Sequence, residues 1–317
     1  MKKLRRILVA IADLRQGHGG ELRRAAALAR ATGARVELFH AVTAPLTHSR
    51  RIGKRMMDLE LSAEESLRLA QSGLERIARS KLLHGCRVDP VAVAEKPAHE
   101  AIVRRALATH SDLIITGTRS RGLANRLLLR HTDWELVRHS PVPLLLVKSV
   151  RQAGKEVILA AIDPLHANAK PAGLDSRILD AAGVMSLVLK GPLHAFHAYM
   201  PLSVTLAAGV GEPVVWDNSE LDANHMQQVV SGFTRALRKT AIPPRRRHLQ
   251  IGDVATELAN CARRLRATLV VMGAVSRSGL ERLIIGTTAQ HVLDDLKCDV
   301  LIVKPREIKS RGASRKS

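Results

Sequence analysis

Gly117–Lys148, GTRSRGLANRLLLRHTDWELVRHSPVPLLLVK, and Gly273–Lys304, GAVSRSGLERLIIGTTAQHVLDDLKCDVLIVK, align over 32 residues without a gap. They share nine identities: Gly117/Gly273, Ser120/Ser276, Arg121/Arg277, Arg126/Arg282, Leu127/Leu283, Thr132/Thr288, Leu145/Leu301, Val147/Val303 and Lys148/Lys304. Similarity at a fixed offset marks a duplicated structural unit. Working back from that stretch, Ile7–Asp13 returns as Val157–Asp163, Val36–Ala41 as Leu193–Ala198, and Leu113–Gly117 as Leu269–Gly273. The chain reads as two copies of one domain, residues 1–150 and 151–305, with a basic, disordered tail over 306–317.

Within each copy, short all-apolar runs alternate with segments of helical period. Ile7–Ile11, Val36–Phe39, Leu113–Thr116 and Leu144–Val147 have the composition of strands buried on both faces. Gly20–Thr32, closed by Gly33, predicts a helix with a glycine C-cap. Asp58–Leu82, His99–His110 and Leu127–Arg138 predict the remaining helices, and Val88–Val93 a fifth strand. The order βαβαβαβαβ is that of an α/β, Rossmann-like domain: an open five-stranded parallel sheet with helices on both faces. The second half repeats it from Val157 to Val303, with an irregular apolar insertion around Val204–Asp217 before a helix over Asn218–Lys239.

The 317 residues are 46 % hydrophobic, which excludes a wholly disordered chain, and carry a net charge of +21. No apolar run approaches the ~20 residues of a spanning helix, and Ile7–Ala12 is too short for a signal h-region. A cytoplasmic protein without a membrane span is expected. The three cysteines, Cys86, Cys261 and Cys298, lack metal or redox spacing. Six aromatic residues leave little for base stacking, so specific nucleic-acid recognition is not expected, whereas salt-sensitive attraction to polyanions is. His194 and His197 fall on opposite strand faces under period-two alternation, which argues against a shared metal. His40 and His197 occupy equivalent places at the end of strand two, either in the cleft or as hydrogen-bonded structural residues. No Walker loop, nucleophile elbow or paired catalytic carboxylates occur, and no catalytic residue is assigned.

Ligands of open α/β sheets sit at the carboxyl ends of the strands, where strand order reverses. Three features of the second half fall there: Asp163 after strand one, Gly273 and Ser276 after strand four, and Gly286-Thr287-Thr288 before the last helix. A glycine permits close backbone approach. N–H groups and hydroxyls at a helix start seat a phosphate, and Asp163 can accept from a ribose hydroxyl or a base amine. Each feature also has a purely structural reading, as a helix entry or a turn cap.

These motifs resemble the universal stress protein family in its tandem two-domain form. Its nucleotide-binding members show Gly-x2-Gly-x9-Gly-(Ser/Thr) after strand four and an Asp closing strand one. The second half reads Gly273-x2-Ser276-x9-Gly286-Thr287 with Asp163; Asp163–His166 and Cys298–Pro305 are similar to the family's E-type second domain. The first half reads Gly117-x2-Ser120-x9-Arg130-His131 with Asp13, so the phosphate-binding pair is gone. The resemblance implies a non-enzymatic stress-response protein that binds ATP or another phosphate-bearing ligand in its second domain, with no metal beyond a nucleotide-associated Mg. It further implies an internal pseudo-dimer through the last strands, a homodimer being left open. A scaffold for an apolar or lipid-like ligand and a weak ATPase stand as alternatives.

Overall fold

The computed structural model describes residues 3–15, 18–43, 47–52, 55–120, 127–128, 131–148, 154–165, 173–201, 219–273 and 287–305. The first half runs β1 (Arg6–Ala10), α1 (Gly19–Thr32), β2 (Arg35–Ala41), β3 (Thr47–Ile52), β4 (Arg55–Glu60), α2 (Ala63–Ala78), β5 (Arg87–Val93), α3 (Ala98–Ala108), β6 (Leu113–Gly117), β7 (Arg119–Ser120), β8 (Leu127–Leu128), α4 (His131–His139) and β9 (Leu144–Val147). The second comprises β10 (Ile158–Ala161), α5 (Leu174–Leu189), β11 (Leu193–Tyr199), α6 (Ser219–Leu237), β12 (Arg247–Ile251), α7 (Val254–Leu265), β13 (Leu269–Gly273), α8 (Thr287–Asp295) and β14 (Asp299–Val303). The insertion over 202–217 and the tail over 306–317 lie outside the described residues.

Ten strands form one sheet in the order β12-β11-β10-β13-β14-β9-β6-β1-β2-β5. Each half contributes five parallel strands, and the halves join where β14 pairs antiparallel with β9. That seam puts Leu301 opposite Leu145, the same position of the two copies, so a local twofold axis passes between them. Both faces are covered. One core packs α1, α2, α5 and α6 against Ile7, Val9, Leu113 and Leu269; the other packs α3, α4, α7 and α8 against Leu8, Ile114, Leu159 and Val270. The alternation within each strand shows why the apolar runs are unbroken: successive side chains serve different cores.

Local chemistry sets the element ends. Gly33 closes α1 in the left-handed region (φ +72°), its N–H bonded to the Ala29 carbonyl. The helix expected over Asp58–Leu82 instead begins at Ala63, because Ser62 and Glu65 form a capping box and residues up to Glu60 belong to the β3–β4 hairpin. The helix expected over Leu127–Arg138 starts at His131, Leu127 and Leu128 pairing with Arg119 and Ser120 instead.

Three side chains tie the seam. The Arg24 guanidinium bonds Glu156 at 2.7 Å and Asp299 at 2.8 Å, both in the opposite half. Lys148 Nζ donates across the seam to the carbonyls of Leu293 and Leu296 at the end of α8. Lys304 Nζ returns the contact to the Arg138 carbonyl at the end of α4, at 2.8 Å. Each lysine thus caps the last helix of the other copy, where the carbonyls lack helical partners. Burial pushes both ammonium pKa values down to about 8; around Lys148 the charges of Cys298, Asp294, Asp295 and Asp299 partly oppose it.

Candidate functional site

Strand order reverses between β1 and β6 in the first half and between β10 and β13 in the second, opening a crevice at the carboxyl edge of each. Asp13 and Asp163 lie just past the first strand of each copy. Asp13 accepts a hydrogen bond from the Arg15 N–H at 2.8 Å and so closes its own turn. Asp163 donates its backbone N–H to Asp175 in the first turn of α5, at 3.2 Å, and its side chain is 33 % exposed.

The two equivalent histidines hold this edge from behind. His40 Nδ1 lies 2.7 Å from the Ile11 carbonyl and His197 Nδ1 lies 3.1 Å from the Ile162 carbonyl. A carbonyl only accepts, so each ring carries its proton on Nδ1. The structural expectation for these residues therefore holds. His197 also stacks on Phe233 of α6 at 6.1 Å and sits 3.9 Å from Asp163. His194 turns to the opposite face, as period two requires, and stacks on His248 with Nδ1 and Nε2 2.9 Å apart. Burial first, then His248 and Arg246, lower the His194 pKa to about 4.

The two copies differ most where their repeat-equivalent glycines end β6 and β13. A Cβ on Gly117 would collide with the Glu21 carboxylate, 2.6 Å from its Cδ. On Gly273 it would collide with Leu174 Cδ2 at 2.8 Å and press on Ile178 Cδ1 at 3.2 Å. Glu21 and Ile178 each precede the left-handed C-cap of their helix, Gly33 and Lys190, by twelve residues, so they are the same position of the fold. Both are buried. On the other face of the first sheet, Asp133 accepts from the Thr116 hydroxyl at 3.0 Å; its repeat equivalent is Ala289. The first crevice is therefore bordered by three carboxylates, of which the second keeps only Asp163. The second adds Asp175, which the Asp163 N–H already engages.

Of the residues expected to bind phosphate, Asp163 and Gly273 close the adjacent strands β10 and β13, while Thr287 and Thr288 open α8. A helix joining parallel strands starts at the carboxyl edge, so these elements converge there. Ser276 and Gly286 lie outside the described residues, as does Arg130 in the first copy. Gly273 is needed for close approach, but the group that approaches its Cα is the α5 side chains. Glu21 and Asp133 were not among the sequence candidates. Only the comparison of the two copies position by position would have exposed their loss from the second.

The fold and edge geometry define a tandem pair of doubly wound α/β units with an asymmetric pair of crevices. Residues 3–148 and 158–304 each match the model of the Universal stress protein family, and the chain belongs to that family. It is 24 % identical over 310 residues to Universal stress protein E of Photorhabdus laumondii, covering 94 % of both chains. It is 28 % identical over 214 residues to Universal stress protein E of Escherichia coli, covering 65 % of each. Among solved structures it is similar to a putative universal stress protein of Pseudomonas aeruginosa, with TM-score 0.66, 26 % identity, and coverage of 96 % and 94 %. A universal stress protein of Archaeoglobus fulgidus shares the fold, with TM-score 0.61 at 17 % identity over 95 % of this chain and 98 % of that one. Among the described residues, no helix is long and apolar enough to cross a membrane.

Proposed function

We propose that the protein serves the stress response by binding, without catalysis, ATP or another phosphate-bearing ligand in the second crevice alone. The observation that carries this reading is the exchange of Glu21 for Ile178 at one position of the fold, against Gly117 and Gly273. Glu21, when ionised, disfavours a phosphate beside it; an isoleucine does not. The start of α8 supplies backbone N–H groups and Asp163 a ribose or base acceptor, while Ser276, Gly286, Thr287 and Thr288 belong to the site by their place in the sequence motif. Mg would enter only with the nucleotide, and the site is cytoplasmic.

A second reading, a scaffold for an apolar or lipid-like ligand, draws on the apolar sequence Pro201–Val215 and on Leu174 and Ile178 packed over Gly273. Mass spectrometry of small molecules released from the purified protein separates the two. ATP or ADP retained by the protein, and lost in Gly286→Arg, supports the nucleotide reading; a retained acyl species in its place overturns it. Phosphate release above a matched blank would overturn the non-enzymatic part.

A further inference from the structure

Both halves reach their outermost strand by the same route: a long helix, a 3-10 turn, then an edge strand. In the first half α2 leads through Lys81–Leu83 to β5; in the second α6 leads through Pro244–Arg246 to β12. β5 and β12 are the two ends of the ten-stranded sheet, and α2 and α6 pack on the same face of it.

These turns are free of acid and crowded with base. Between Glu75 and Asp89 lie Arg76, Arg79, Lys81 and Arg87; between Asp222 and Asp253 lie Arg235, Arg238, Lys239, Arg245, Arg246 and Arg247. In each copy one arginine is spent on the turn itself. Arg30 donates to the carbonyls of Leu82 and His84, at 2.7 and 3.1 Å, and Arg247 to that of Ile242, at 2.9 Å. The turn's shape is thus held by a cation already satisfied, while Arg79, Lys81 and Arg87, and in the other copy Arg238, Lys239 and Arg245, stand exposed. Among the described residues no carboxylate pairs with any of these six. The first turn also walls a surface cavity of about 540 Å³ with Arg79, Ser80, Lys81 and His84. Like charges gathered without counter-charge, twice, at equivalent places, repel one another until an anion joins them.

We propose that the two turns form a duplicated, sequence-independent binding surface for the phosphate backbone of duplex nucleic acid. The scarcity of aromatic side chains argues against single strands, which are held largely by base stacking. Separation selects a stiff duplex over a short flexible polyphosphate. β5 and β12 lie nine strand spacings of ~4.8 Å apart, and their amino ends fall on opposite edges of the sheet because the halves run antiparallel across the seam. The turns therefore stand at least roughly 43 Å apart, the length of about 13 base pairs. Two weak sites on one stiff lattice reinforce each other.

The test is anisotropy titration of the full chain into a labelled 30-base-pair random duplex from 50 to 200 mM salt. Six phosphate contacts predict a slope of log K against log salt near −5, and each neutralised cation removes about 0.9. Arg79→Gln/Lys81→Gln/Arg87→Gln and Arg238→Gln/Lys239→Gln/Arg245→Gln change only exposed side chains, so circular dichroism should match the parent. Either triple variant should reduce the slope by about 3 and the affinity at least tenfold at 100 mM salt. An unchanged slope in both, with the basic tail intact, would overturn the proposal. So would inorganic polyphosphate binding where the duplex does not, or a preference for one base sequence.

Discussion

Replacing Arg24 by methionine keeps the side chain's apolar stem and removes the cation that ties the halves. Arg24 is 11 % exposed, and its Nη2 and Nε both reach Asp299 Oδ2 at 2.8 Å while Nη1 reaches Glu156 Oε1 at 2.7 Å. Burial works against its charge, yet Asp299 and then Glu156 outweigh that and hold the guanidinium pKa above its ordinary value. The two carboxylates respond differently to its loss. Glu156 is 24 % exposed and keeps the Thr268 hydroxyl, so it can turn towards water. Asp299 is 2 % exposed and keeps the Lys148 N–H at 3.1 Å, with the Lys148 ammonium near enough for the two charges to interact. Breaking a buried pair from one side costs about 3–5 kcal/mol, and most of that falls on Asp299. Arg24→Met should therefore destabilise by about that amount in urea unfolding at pH 7. Adding Asp299→Asn should recover about 2–3 kcal/mol, whereas adding Glu156→Gln should recover under ~1. Because the pair is buried, the cost should persist in 1 M salt. A loss below ~1 kcal/mol, or one abolished by salt, would refute the assignment of a buried cross-seam tie.

The seam lysines give a pH signature. Their folded pKa values, about 8, lie below the ordinary lysine value of 10.5, so between those limits the unfolded chain holds more protons than the folded one. Stability contributed by these groups therefore rises from pH 8 towards pH 10. Unfolding midpoints over that range should fall less steeply for the parent than for Lys148→Met/Lys304→Met; parallel curves would show that neither lysine titrates there. Ser62→Ala removes half of the capping box at α2 and should cost about 1 kcal/mol in the same assay, a change under ~0.3 placing the helix start elsewhere.

The sheet was legible in the sequence because its central strands, buried on both faces, read as short apolar runs that alternate with helical periods and recur in the second copy. Helix starts were less so. Asp58–Glu60 continues a helical pattern on paper, and only the Ser62-x-x-Glu65 box marks where the helix begins. The seam was written in the repeat alignment without its meaning. Leu145/Leu301 and Lys148/Lys304 are identical across the copies because each faces its own equivalent, or the helix end beside it, across a twofold axis. The crevice asymmetry was only half visible. Arg130 in place of Gly286 reads along the chain, but Glu21 meets Gly117 through space, 96 positions away, and no local spacing announces it.

Equilibrium dialysis of the ligand-stripped full chain against labelled ATP weighs the two crevices directly. One equivalent bound per chain, abolished by Gly286→Arg and untouched by Arg130→Gly, is the predicted result. Two equivalents, or a single one that survives Gly286→Arg and disappears when the crevice beside Glu21 is altered, would contradict it.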